Sequence, residues 1–143
     1  MRRMLFLIAL LAVAGAAVVG AQDKTAKKLP PKAETIEGIL VDTKCYSMDS
    51  QNWVQDHMTP KGKMPMCAMT CAKMGIPVGL LEGGKPGGKV YVIITPAAAL
   101  GDHMTKTARI TGTIAVEGHG ILPDKIEVKN KDKWEEVKIA TMM

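Results

Sequence analysis

The chain has 143 residues, a formal net charge of +5 and an aromatic content of only 3%. That length suits one domain with a modest core, and so few aromatic residues exclude a stacking platform for bases or sugars. The positive excess is mild, and Lys24, Lys27, Lys28 and Lys32 carry much of it in one Pro-ended segment. This reads as a solvated arm and makes no case for nucleic-acid binding.

Residues 1–21 read as a signal peptide. Arg2 and Arg3 form the positive start, Leu5 to Val19 is apolar, and Val19-Gly20-Ala21 fits a small-residue cleavage site. The apolar run is short for a membrane span. The expected mature protein begins at Gln22, is exported to the periplasm or the extracellular space, and keeps no stable membrane anchor. Cleavage removes two arginines and no acids, so the net charge falls from +5 to +3.

Residues 22–33 read as a flexible linker ending near Pro30-Pro31, and residues 34–143 as the domain. Thr35 to Asp42 predicts a strand, with Gly38 marking a bulge or a tight bend. Residues 45–75 break the strand pattern and form a Cys/Met-rich insert. Within it, Pro65 suits the first turn of a short helix through Met74, capped by Gly75. Pro77 to Glu82 and Lys89 to Thr95 are apolar runs joined by a Gly-rich hairpin loop. Thr95-Pro96-Ala97 predicts the cap and first turn of a helix reaching Met104. Thr107 to Val116 alternates cleanly, with Ala108, Ile110, Gly112, Ile114 and Val116 on one face. Gly118-His119-Gly120 turns the chain, Ile126 and Val128 continue the inward face, and Val137 and Ile139 suggest a final edge strand. The expected fold is mainly β: a small OB-like barrel of five to six strands, with its short helix between the third and fourth barrel strands. An open α+β sandwich is the alternative.

Gly38 to Tyr46, followed by Cys67 to Leu81, resembles a group of small secreted bacterial proteins of no established function. The resemblance covers residues 38 to 81. It implies a Cys-bearing insert on an OB-like barrel and a joint role for the three cysteines, and it brings no activity with it.

Those cysteines, Cys45, Cys67 and Cys71, are the richest chemical signal in the chain. An odd number in an exported protein leaves a thiol over after any single disulfide. Metal binding would use all three. Cys45, His57, Cys67 and Cys71 offer the Cys₃His set of structural zinc sites. Met64 and Met74, at i−3 of Cys67 and i+3 of Cys71, add thioethers that favour Cu(I). The expected cofactor is therefore Cu(I) or Zn(II), with Cys45, His57, Cys67, Cys71, Met64 and Met74 as candidate ligands.

Two other uses compete. Cys45 pairing with Cys67 or Cys71 would make a structural disulfide that stabilises by roughly 2 to 4 kcal/mol, with the methionines as core filler. The protein would then be a non-catalytic interaction module, its partner an envelope protein or glycan. Alternatively Cys67, in the first turn of its helix, would be an activated thiolate with a resolving partner, making this a thiol-redox partner protein. No catalytic constellation stands out. Ser47 and Ser50 lack acid–base partners at suggestive spacing, and Gly83 to Lys89 leads into a strand rather than the helix of a phosphate loop. Asp42 and Asp49 are candidates to orient His57, while His103 and His119 read as surface residues.

Overall fold

The structure is a computed structural model that describes residues 33–139. The expected signal peptide and all but the last residue of the expected linker lie outside these residues. Strand β1 (Ala33–Asp42) runs straight into helix α1 (Thr43–Met48). A small hairpin follows, β2 (His57–Thr59) and β3 (Gly62–Met64), then helix α2 (Cys67–Lys73). Strands β4 (Val78–Glu82) and β5 (Val90–Ile93) precede a 3₁₀ helix (Ala97–His103). Strands β6 (Thr107–Ala115), β7 (Gly120–Asn130) and β8 (Lys133–Glu136) complete the chain.

The main sheet has the order β5-β4-β1-β6-β7-β8, and β5 also pairs with β7. That last contact is parallel, at Val92 with Gly120 and Ile93 with Ile121, whereas every other pairing is antiparallel. Five strands therefore close a barrel-like ring, β1-β4-β5-β7-β6. Counting ring strands alone, the order is 1-2-3-5-4 and back to 1, the OB-like order expected from the sequence. Strand β7 is long enough to serve two neighbours on one edge. Its first residues meet β5, and its last four, Glu127 to Asn130, meet β8. The extra strand thus covers the stretch of β7 that β5 cannot reach and leaves the short, charge-rich β8 as the edge there.

Alternation builds the interior. Along β6, Ala108, Ile110 and Gly112 are buried while their neighbours are half-buried. From β1, Ile36 and Leu40 join Leu80, Tyr91, Ile93, Ile110, Ile121, Ile126 and Val128 in one apolar cluster. Two glycines are set by close backbone approach rather than by turns. A side chain at Gly38 would overlap the carbonyl of Leu81, and one at Gly112 would overlap that of Leu122. Gly38 keeps regular register on both sides, so it makes a close approach and not a bulge. The bulge lies instead at Thr111/Gly112, opposite Pro123, where a ladder hydrogen bond could not form.

Three local expectations are corrected. The helix at 97–103 is 3₁₀, and Pro96, which has no side-chain cap to offer, occupies its N-cap in place of Thr95. The final strand is Lys133–Glu136 and precedes Val137. Val137 itself is buried and donates its N–H to the Ile126 carbonyl. The helix of the insert starts at Cys67, because Met66 adopts a left-handed conformation with φ 55°.

The insert, residues 43–77, leaves the ring at the end of β1 and rejoins it at the start of β4, where Asp42 and Val78 are register partners. Thr43 donates from both its N–H and its hydroxyl to the Pro77 carbonyl, at 3.3 and 2.7 Å. Helix α2 sits on the 3₁₀ helix, and Ala68 and Ala72 join Ala97, Leu100 and Met104 in the main apolar cluster. The lack of a side chain at Gly101 lets the Lys73 stem cross it, and Lys73 ends 2.6 Å from Asp102. That exposed ion pair contributes little. The small alanines let α2 approach closely, so packing holds it. On the outer face of the sheet, Arg109 clamps Glu127 with two hydrogen bonds of 2.7 and 2.9 Å, and its guanidinium lies 4.5 Å from the Trp134 ring centre. The Arg109 hydrogen bonds, with help from Lys125, hold the Glu127 carboxyl down to about 2.

Candidate metal centre

Three sulfurs and one carboxylate converge where the insert joins the ring. Asp42, the last residue of β1, is the N-cap of α1, and its Oδ1 accepts from the N–H groups of Lys44 (2.9 Å) and Cys45 (3.4 Å). An Asp cap satisfies helix donors that would otherwise lack partners. The cap fixes Cys45, which is buried, in the first turn of α1. Cys67 is the first residue of α2 and is also buried, while Cys71 lies one turn later and is half-buried. The Cys67 Sγ lies 3.9 Å from the Sγ of Cys45 and 3.9 Å from that of Cys71. One ligand atom from each of Asp42, Cys45, Cys67 and Cys71 falls within 4.8 Å of all the others.

This group could hold a metal ion. Zinc–thiolate bonds of about 2.3 Å in a tetrahedron put neighbouring sulfurs about 3.8 Å apart, close to the separations found here. No pair is at disulfide-bonding distance, and all three cysteines are free. The i to i+4 spacing on α2 explains why Cys67 and Cys71 meet without joining: an undistorted helix holds their Cβ atoms about 5 to 6 Å apart, against about 3.8 Å in a disulfide.

Burial pushes the Cys45 thiol up to about 12, with the adjoining Asp42 carboxylate adding to the effect. Cys71 is raised by the same causes, burial first and the Asp42 carboxylate next. Two of the three thiols are therefore protonated at neutral pH, the reverse of what an attacking thiolate requires.

His57 opens the hairpin and is fully buried. Its Nδ1 lies 3.9 Å from the free Oδ2 of Asp42. Both ring nitrogens and that Oδ2 are buried without a hydrogen-bond partner among the described residues. Each such orphan costs about 1 to 3 kcal/mol unless something satisfies it. Three of them beside three thiols fit a site built around an ion. His57 stands outside the tight group of four, behind the carboxylate.

Asn52, buried in the loop before the hairpin, frames this arrangement. Its side-chain amide donates to the Cys45 carbonyl (3.2 Å) and its Oδ1 accepts from the Met58 N–H (3.0 Å). The structure thus brings Cys45, Cys67 and Cys71 together as expected and sets His57 beside Asp42. Met64 is on β3, outside α2, and Met74 is the exposed C-cap of α2. Asp42, expected only to orient His57, lies 3.9 Å from it and also joins the group of four, and Asn52 is a residue that the sequence did not single out. The signal for Asp42 was its place three residues before Cys45, at a strand end followed by a helix start.

A cleft of about 360 Å³, lined by Glu37, Gly38, Ile39, Gly83, Gly84 and Thr107, includes none of these residues. Among the described residues no helix is long and apolar enough to cross a membrane. Comparison of the chain with protein-family models, characterised proteins and solved structures finds no match.

Asp42 caps α1 and stands among the candidate ligands, and one substitution separates the two. Asn caps helices about as well as Asp, but it is a neutral and poorer metal ligand. Asp42→Asn is expected to keep the apo melting temperature within a few degrees while weakening metal binding at least tenfold. Thermal melting and chelator competition on the same sample check both halves.

Proposed function

We propose that this protein is an exported metal-binding protein that takes up one Cu(I) or Zn(II) ion through Cys45, Cys67 and Cys71. Asp42 supplies the fourth ligand, with His57 behind it. The observation that carries the reading is the convergence of four ligand atoms within 4.8 Å of one another at the mouth of the insert. The unpartnered nitrogens of His57 support it. Nothing in the site resembles machinery for turnover, so its work is sequestration or delivery of the ion, or stapling of the insert. Delivery would require an exchange partner in the envelope. The signal-like residues 1–21 support the exported location.

The test is a titration of the reduced mature chain, residues 22–143, with Zn(II) and with Cu(I) held by a competing ligand. Native mass spectrometry reads the stoichiometry. One ion per chain is expected. Binding must displace the thiol protons that burial retains, so apparent affinity should rise as pH rises from 6 to 8. A reduced chain that binds neither ion, or an oxidised chain that carries one disulfide and no metal as isolated, would overturn the reading.

A further inference from the structure

The methionines of the insert pose a separate question. Met48, Met58, Met64, Met66 and Met74 are between 46% and 78% exposed, so none of the five serves as core filler. Four of them follow the buried site closely. Met48 ends α1, one helical turn beyond Cys45, and Met74 caps α2, one turn beyond Cys71. Residues three apart on a helix are surface neighbours. Met66 directly precedes Cys67. Met64 is the register partner of His57 across the β2–β3 hairpin, and directly opposed residues share a face of the ladder. Each cysteine, and the buried histidine, therefore has an exposed thioether one turn, one residue or one strand away. Met58 is the exception: it pairs with Lys63, on the other face of the hairpin from His57.

We propose that Met48, Met64, Met66 and Met74 form an outer acquisition site for Cu(I), which passes the ion inward to the three thiols. This rests on the metal-binding reading above and names the ion. A thioether is neutral, holds no proton to be displaced, and selects Cu(I) over Zn(II) because it is soft. The inner sulfurs are the opposite case. Cys45 and Cys67 are buried and Cys71 is half-buried, whereas the four methionines are exposed, so an ion from solvent meets a thioether more readily than these thiols. Transfer is a ligand exchange without electron flow. A Cu–thioether bond breaks, a Cu–thiolate bond forms, the thiol proton passes to water, and copper remains Cu(I).

The first experiment uses mature chain with all three cysteines replaced by Ser and its methionine methyls labelled with carbon-13. It is titrated with Ag(I), a redox-inert surrogate for Cu(I). The methyl signals of Met48, Met64, Met66 and Met74 are expected to shift, while those of Met58 and the buried Met104 stay still. Unmoved methyls, or Met58 moving as far as the four, would overturn the proposal and leave the surface to protein contact. The second experiment keeps the thiols and combines Met48→Leu, Met64→Leu, Met66→Leu and Met74→Leu. Zn(II) affinity should stay within twofold, while the rate of Cu(I) uptake from a soluble chelator falls at least tenfold. An unchanged uptake rate would again overturn it. Failure of the unmodified chain to bind Zn(II) or Cu(I) would instead strike the metal-binding reading, which the Ag(I) experiment does not depend on.

Discussion

Cys67→Ser is expected to weaken binding of Zn(II) or Cu(I) by more than a hundredfold while the ring of strands stays folded. Cys67 is the middle sulfur, 3.9 Å from each of the other two, so its loss removes both short sulfur–sulfur edges at once. Removing a group that merely orients a ligand typically costs about 10- to 100-fold in affinity, and losing the ligand itself must cost more. Ser is nearly the size of Cys, and position 67 opens a helix rather than filling the main apolar cluster. The penalty to the apo fold should stay near 1 kcal/mol. Metal should consequently stop protecting the protein. A ligand at a hundred times its Kd stabilises by about 2.7 kcal/mol, and that increment should be present in the parent and absent in the variant. Melting curves with and without Zn(II) measure it. A variant that retained the full increment would mean that the three thiols do not act as one site.

Leu40→Ala is expected to have the largest effect on stability, about 2 to 5 kcal/mol. Leu40 is fully buried near the C-terminal end of β1, with Leu80 as its partner on β4. Its N–H donates to the Lys106 carbonyl and its own carbonyl accepts from Thr105, so the backbone there is pinned and cannot close over a cavity. For a domain near 100 residues each kcal/mol moves the midpoint by about 4 to 8 °C, so a fall of at least about 10 °C should be seen. Val92, on the same sheet but 40% exposed, provides the control: Val92→Ala should cost well under half as much. Equal effects at the two positions would contradict the ring's having a single interior.

The ring was legible because its strands carry strong local signals. β6 alternates over its whole length, and the Gly-rich loop at 83–88 announces the β4–β5 hairpin. A short helix between the third and fourth ring strands then leaves few topologies. The insert was less legible, because its elements depend on individual side-chain hydrogen bonds rather than on apolar periodicity. α1 exists where Asp42 caps it, and Asn52 ties its Cys45 carbonyl to the β2–β3 hairpin. The thiol cluster could be anticipated because Cys67 and Cys71 are one turn apart and Cys45 is the remaining thiol. The methionines could not be placed in the same way. Helical spacing assigns Met64 to the face of Cys67 only if the helix includes residue 64, and the left-handed backbone at Met66 ends it before that point. The charge-rich run Lys133–Glu136 concealed β8, which pairs with β7 and contributes nothing to the main apolar cluster.

The paired ends of the insert have an entropic consequence. Asp42 faces Val78, and Thr43 is bonded twice to Pro77, so the neck of this long excursion is drawn shut by the strands themselves. Bringing distant chain segments together is ordinarily a cost charged to whatever joins them. Here folding of the ring has already met it for the two ends, and Asp42 stands at the neck. An ion taken up by the proposed site would meet a loop already closed, which favours tight capture, and its loss would part no ring strand.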